Sequence, residues 1–401
     1  MTVNPAPADP WTCPFCPLAC DHLGVSASAA GLVLVGAECE RAQRALAAFG
    51  MAPAASPSVD GRPASADEAV RAAAVLLGKS RLPLFAGLGT DVAGARALYP
   101  LACATGAIAD AAGGDAFFEG LRALQDRGQF TTTIAEIRTR ADLLVFVGPA
   151  PLAQAPLLAD RLGIGDPQGP SREIVAMEEL DAGGDLFDAL AWLGALLGPR
   201  EIAAAPRALR TLAERLQRAR YAVFVGAPGL LPAHGALVIE AVHRIVGQLN
   251  RRTRAAALWV GGGNGAATAN QVFAWLSGLP LRTRAGPRGL EHEPRCFGSE
   301  RLIADRAVDA LLWVSSFDAE AAPPATSLPL VALVHPARAA ACARPGAVVI
   351  PVATPGIGSD GHVFRTDGTV LMPLAALRDD GLPTVADLAT RILGALKARS
   401  S

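Results

Sequence analysis

The chain has 401 residues, a formal net charge of −1 and an apolar fraction of 51%. That leaves room for two or three domains with sizeable cores. No run reaches the roughly 18–20 consecutive apolar residues that span a bilayer, and no basic arm or stripe is present to neutralise phosphates, which argues against membrane and nucleic-acid partners. The first ten residues, MTVNPAPADP, have neither a basic n-region nor an apolar h-region, so no signal peptide is expected and the chain reads as cytoplasmic.

Residues 1–52 read as a small Cys-rich cap. HLGVSA and GLVLVGA flank an SAAG turn as a hairpin, with Cys20 before it and Cys39 after it. ERAQRALAAFG follows as a helix ending at Gly50. A Pro/Ser/Gly linker then leads to Ser65 and Glu68, a capping box for the helix ADEAVRAAAVLLG.

From there strands and helices alternate. Continuous apolar runs predict strands over 82–87, 141–148, 173–178, 221–226, 256–261, 309–316, 328–334 and 347–353. Runs of this kind suit parallel strands covered on both faces. Amphipathic segments between them, such as PRALRTLAERLQRAR and ALVIEAVHRIVGQLN, supply the crossover helices of right-handed βαβ units. Eight strands exceed one mononucleotide-binding half, so two Rossmann-like sheets are expected.

Four of the seven cysteines, Cys13, Cys16, Cys20 and Cys39, lie in the cap. A C-x2-C-x3-C loop with one distant Cys is a spacing that suits a [4Fe–4S] cluster; zinc more often uses two C-x2-C knuckles or Cys/His pairs. Cys103, Cys296 and Cys342 are scattered in apolar settings and read as buried packing residues. The strand leading into Gly261, Gly263 and Ala266 resembles a dinucleotide fingerprint. No acidic residue follows between Asn270 and Leu290 to hold a ribose, and a tight strand-to-helix turn is the plainer reading. GSDGHVFRTDG (358–368) offers Asp360, His362, Arg365 and Asp367, though such loops are more often hydrogen-bonded corners. His292, between two acids, reads as a surface residue.

Several segments point to a family. The start CPFCPLACDHL…AEC, the stretch ALQDRGQFTTTIAEIRTRADLLVFVGPAP (123–151), NQVFAWLSGLPLRT (270–283) and VVIPVATPGIGSDGHVFRTDG (348–368) occur in this order along nearly the whole chain. Together the chain resembles the molybdopterin oxidoreductases, most closely the B subunit of formylmethanofuran dehydrogenase. That resemblance implies domains 1–3 of the formate dehydrogenase/DMSO reductase architecture without a pterin-capping barrel. In this reading residues 1–52 form the cap, 53–107 and 265–375 a discontinuous α/β domain, 108–264 an inserted α/β domain and 376–401 a C-terminal helix.

The likeness fails where redox chemistry belongs. Active members place a metal-ligating Cys or selenocysteine, followed by His, shortly before ALQ; here the stretch reads GGDAFFEGLRALQ (113–125). There is no Cys between Cys103 and Cys296 and no His between His22 and His234. Where the family has an Arg-Gly-His-type segment before the Asn matching Asn264, this chain has Val260, Gly261, Gly262 and Gly263. Without the thiolate, the Arg and the His, a W or Mo centre loses its protein link, the cation that positions substrate and the group that moves its proton.

The resemblance therefore implies the degenerate B-type member of the formyltransferase/hydrolase complex of methylotrophs. Its expected partners are the amidohydrolase-like, A-type hydrolase, the C-type subunit and the formyltransferase, in formaldehyde oxidation to formate through tetrahydromethanopterin and a methanofuran-like carrier. No molybdopterin or tungstopterin and no catalytic residue is expected in this chain. The alternative is an active W/Mo B-type chain of formylmethanofuran dehydrogenase. Two readings of the four cysteines stand at this point: a [4Fe–4S] cluster or zinc as a structural staple, or reduced thiols left in place.

Overall fold

The computed structural model describes residues 10–28, 31–50, 55–181, 184–199, 202 and 204–400. The chain forms two compact units. The larger comprises 1–114, 262–365 and 370–401; the smaller comprises 115–261 and 366–369 and is inserted in the larger.

The larger unit is built on a nine-stranded sheet. Its centre is a parallel set in the order Ile108–Ala109, Pro83–Gly89, Ala310–Ser315, Leu330–Val334 and Ala347–Pro351. The strand at 83–89 thus pairs with the strand at 310–315, across the whole insertion. The continuous apolar runs have a direct cause: alternate side chains enter two cores. Phe85, Leu312, Val314, Val331, Leu333, Val348 and Ile350 face helices Ala66–Lys79, Val92–Thr105, Ala266–Ser277 and Val385–Ser400. Leu84, Ala86, Leu311, Trp313, Leu330, Ala332 and Val349 pack on the other side, with Leu302, Ala339 and Cys342. A strand covered on both faces has no polar side to show.

The helix Ala66–Lys79 starts at Ser65, whose hydroxyl accepts the Glu68 N–H at 3.2 Å. The last helix is held through Leu388, Ala389 and Ile392 in the same core as Leu77 and Leu98.

Three short antiparallel pieces were not legible from periodicity. The presumed linker carries a hairpin, Ser58–Val59 with Arg62–Pro63, that extends the sheet beside Ala347–Pro351. Thr283–Gly286 with Gly289–His292 forms the opposite edge. Gly361–Phe364 pairs with Leu371–Leu374 as a separate ribbon. Each strand is two to four residues long, too short for a two-residue alternation to stand out.

The smaller unit carries a four-stranded parallel sheet in the order Arg254–Trp259, Tyr221–Gly226, Leu143–Val147, Glu173–Ala176. One face packs on helices Leu186–Leu196, Arg207–Arg218 and Gly235–Leu249. Among the described residues no helix is long and apolar enough to cross a membrane.

Candidate functional site

The Cys-rich segment folds as a loop and hairpin within the larger unit. Gly24–Ser28 pairs with Gly31–Val35; the expected turn residues Ala29 and Ala30 lie outside the described residues. Trp11 bridges Leu23, and the Cys13 N–H bonds the Cys20 carbonyl at 2.8 Å, closing the C-x2-C-x3-C loop. Ala19 adopts φ 42° to make the return. Cys39 is the N-cap of helix Glu40–Ala47, so the hairpin brings it back to the other three. The segment is anchored by Trp11, whose indole N–H donates to the Gly356 carbonyl at 2.7 Å, and by Arg41, whose Nε donates to the Phe15 carbonyl at 2.6 Å.

Cys13, Cys20 and Cys39 are buried, Cys16 is half-buried, and no disulfide joins them. Burial pushes the Cys13 thiol well up, Cys16, Cys20 and Cys39 add to the rise, and the Phe15 N–H opposes it. Cys16 is also raised by burial, against the N–H groups of Leu18 and Ala19 and the charge of Arg41. Four mutually repelling sulfurs with backbone N–H groups aimed at two of them are a donor set suited to thiolate ligation. They are neighbours without being drawn onto one centre: among the described residues no group of three or more His, Cys, Asp or Glu has metal-holding geometry.

Beside this loop, at the carboxyl ends of strands Ala310–Ser315 and Leu330–Val334, lies a cavity of about 220 Å³. Phe15, Arg41, Arg44, Asn264, Phe317, Asp318 and His335 line it. This is where open α/β sheets place ligands. His335 is buried, and its Nδ1 accepts the Ala337 N–H at 3.1 Å, so the ring proton sits on Nε2. Burial lowers its pKa to about 4. Asn264 has φ 50°, and its buried Oδ1 has no hydrogen-bond partner among the described residues. The cavity can donate and accept hydrogen bonds, but it pairs no nucleophile with a base.

The stretch where the resemblance expects a metal-ligating Cys, 113–125, falls mostly in the helix Gly114–Arg127, and the loop leading into it is built on Asp110. Asp110, 2% exposed, accepts Arg282 Nε at 3.1 Å, and the Ser299 N–H and hydroxyl at 2.8 and 2.9 Å. Arg282 also donates to the Pro294 carbonyl at 2.7 Å. A Cβ on Gly114 would stand 2.4 Å from an Asp110 carboxylate oxygen, so this loop closes on its own ion pair. Sequence reasoning missed the cluster; the signal was an Asp directly after the apolar AIA of 107–109.

The Gly261–Ala266 turn is a packing device. Gly265 has φ 73°, and a Cβ there would lie 2.5 Å from the Thr90 carbonyl oxygen. Backbone meets backbone, which requires glycine without any nucleotide. In the 358–368 loop, Asp360 accepts the Ala376 N–H at 2.8 Å and Asp367 the Ile134 N–H at 3.3 Å, while His362 is exposed. These residues hold a corner rather than converge. His292 is not a free surface residue: its Nδ1 lies 2.9 Å from the Thr283 hydroxyl and 3.2 Å from the Arg282 carbonyl. Cys296 is exposed and Cys103 half-buried, so only Cys342 of the scattered three is the buried packing residue expected of all of them.

His243, in the smaller unit, is the second buried imidazole. The Phe130 N–H approaches its Nδ1 at 3.1 Å and the Trp259 indole N–H its Nε2 at 3.0 Å. A neutral ring has one lone pair for these two donors; a protonated ring has none. Burial lowers this pKa to about 4 as well. Both histidines therefore refuse protons that the unfolded chain accepts below its ordinary value of 6.5. Stability is expected to be full above pH 6.5 and to fall toward pH 4, by about 3 kcal/mol for each histidine. Urea titrations between those pH values check this, and His243→Gln or His335→Gln should flatten part of the slope.

No protein-family model matches the chain. It is 33% identical over 357 residues to the B subunit of the formyltransferase/hydrolase complex Fhc of Methylorubrum extorquens, a match covering 85% of this chain and 97% of that protein. The fold is similar to a chain in the crystal structure of the formyltransferase/hydrolase complex (FhcABCD) from Methylorubrum extorquens in complex with methylofuran. That match has a TM-score of 0.76 and 32% identity, and covers 86% of this chain and 99% of the other.

Proposed function

Because this chain belongs to the family of the B subunit of the formyltransferase/hydrolase complex, we propose that it is a non-catalytic structural subunit of such a complex in one-carbon metabolism. One observation carries the absence of redox chemistry. Residues 113–125, the stretch that would bear the metal-ligating thiol, contain neither Cys nor His, and the loop leading into them is closed by the Asp110–Arg282–Ser299 cluster. A W or Mo centre would find no protein thiolate there, and no arginine or histidine occupies 260–263 to bind and protonate a one-carbon substrate. The chain works beside hydrolase, C-type and formyltransferase subunits, in the cytoplasm, where its thiols stay reduced.

The four cysteines have two readings within this proposal, reduced thiols left in place or a metal staple, and the staple is the one that makes a direct prediction. Cys13, Cys16, Cys20 and Cys39 would hold a [4Fe–4S] cluster or a zinc ion, which fixes a small cap against the larger unit. The support is the donor set itself: four neighbouring thiols, three of them buried, with N–H groups facing two of the sulfurs.

Affinity purification of the tagged chain from its own host, with elemental analysis, tests the main reading. The expected result is recovery of formyltransferase and hydrolase subunits with no tungsten or molybdenum. Stoichiometric tungsten or molybdenum would instead establish the active dehydrogenase.

A further inference from the structure

The amino ends of strands Tyr221–Gly226 and Arg254–Trp259 form one edge of the smaller unit's sheet, in register through Arg254 and Tyr221. Helices Ile134–Arg140 and Arg207–Arg218 end beside it, and helix Gly235–Leu249 ends just before Arg251. The edge carries Arg140, Arg218, Arg220, Arg251, Arg252 and Arg254, all exposed.

Two of the carboxylates here are set back, while Glu214, which pairs with Arg218, is 65% exposed. Glu136 serves both Arg140 and Arg254 with its side chain 23% exposed, and Asp142 serves Arg220 at 18%. The guanidinium side chains of these pairs are 55–85% exposed. Arg251 and Arg252 form no ion pair among the described residues. Arg140 and Arg218 lie in last helical turns, where the dipole accounts for a cation. Arg220 directly follows the C-cap Ala219, and Arg251 and Arg252 follow the C-cap Asn250, so the same helix ends favour cations there; Arg254 lies in a strand.

We propose that this arginine edge is a docking surface for a carboxylate-rich face of another protein subunit of the same assembly, an inference that rests on the subunit reading above. Around Arg220, Arg251, Arg252 and Arg254 the outward layer is cationic, with Glu136 and Asp142 beneath it, so an approaching acidic face meets guanidinium groups first. Nucleic acid fits less well: Tyr221, the aromatic residue of this edge, is buried under Arg254 and offers no exposed ring for a base to stack on.

The test uses the full chain, immobilised, and the subunits recovered with the tagged wild type. Arg251→Glu with Arg252→Glu is compared with Arg71→Glu and Arg96→Glu, an equal charge change on exposed helix positions of the larger unit. The edge variant is expected to slow association about tenfold or more, with little change for the control, and wild-type association should weaken as salt rises from about 50 to about 300 mM. Wild-type behaviour of the edge variant, or equal loss in both variants, would overturn the assignment. So would capture of duplex DNA by the wild type that the edge variant loses, which would assign the edge to nucleic acid. Failure of the wild type to bind any of these subunits would sink the assembly reading itself, and the docking surface with it.

Discussion

Asp110→Ala is expected to destabilise the chain by about 3–5 kcal/mol, because it leaves the Arg282 guanidinium charged and buried without its carboxylate. Both side chains are almost inaccessible, at 4% for Asp110 and 6% for Arg282. Asp110 also accepts the Ala111 N–H and the Ser299 N–H and hydroxyl at the start of helix Ser299–Ala304, so the substitution removes the acceptor of four donors at once. Against a typical total stability of about 5–15 kcal/mol, this is a large fraction. Urea unfolding of Asp110→Ala, Arg282→Met and the double variant reads it out. The double variant should cost less than the two single changes added together, since removing both charges leaves no buried ion unpaired. A loss below about 1 kcal/mol for Asp110→Ala would show that water replaces the carboxylate and that the loop is held otherwise. The functional weight of the result lies in where the pair sits. The loop is shaped by an ion pair the protein makes for itself, and that shape needs no metal centre.

The layered α/β architecture was readable because both cores leave a mark on the same strands. Leu84, Phe85 and Ala86 alternate between two apolar environments, so the run is apolar throughout, and all eight expected strands are present within a few residues of their expected ends. The cap hairpin was readable from its turn and from Cys39 standing beyond it. The short strands at 58–63, 283–292 and 371–374 were not: they are edge pieces whose pairing is set by contact with a neighbouring strand rather than by an internal pattern. The glycine turn misled for a related reason. Gly265 answers the backbone of Thr90, a partner distant in sequence, and the same glycine spacing would serve a pyrophosphate. Asp110 and Arg282 are 172 residues apart, and His335 meets Phe49 at 4.6 Å between ring centres; spacing along a chain carries no information on such meetings. The resemblance did reveal the missing thiol and histidine, because an absence within an ordered series of segments can be read without coordinates.

The chain purified without oxygen is expected to carry metal at Cys13, Cys16, Cys20 and Cys39: about four iron atoms with the visible absorbance of a cubane cluster, or about one zinc. Cys20→Ser is the most informative change. Cys20 is 2% exposed, and its carbonyl accepts the Cys13 N–H that closes the loop. A serine keeps that backbone bond and removes one thiolate, so any loss reports the side chain. The variant should lose its metal and melt lower by several degrees, because a metal bound only by the folded cap adds its binding free energy to folding. Chelation of the wild type should reproduce the shift, and chelation of the variant should add nothing. The pH dependence has a definite sign. Burial and the neighbouring sulfurs raise the Cys13 thiol, which favours the protonated, non-ligating form, so metal is released as pH falls and held more firmly as it rises. A preparation with neither iron nor zinc, and no change in melting on Cys20→Ser, would overturn the staple. The cap would then rest on Trp11, Arg41 and the aromatic contacts of Phe15 with Trp11 and Phe49. Metal at this site would not restore redox function. Electrons reaching a cluster in the cap would need a second centre to move to, and the stretch 113–125 offers no thiolate in this chain to hold one.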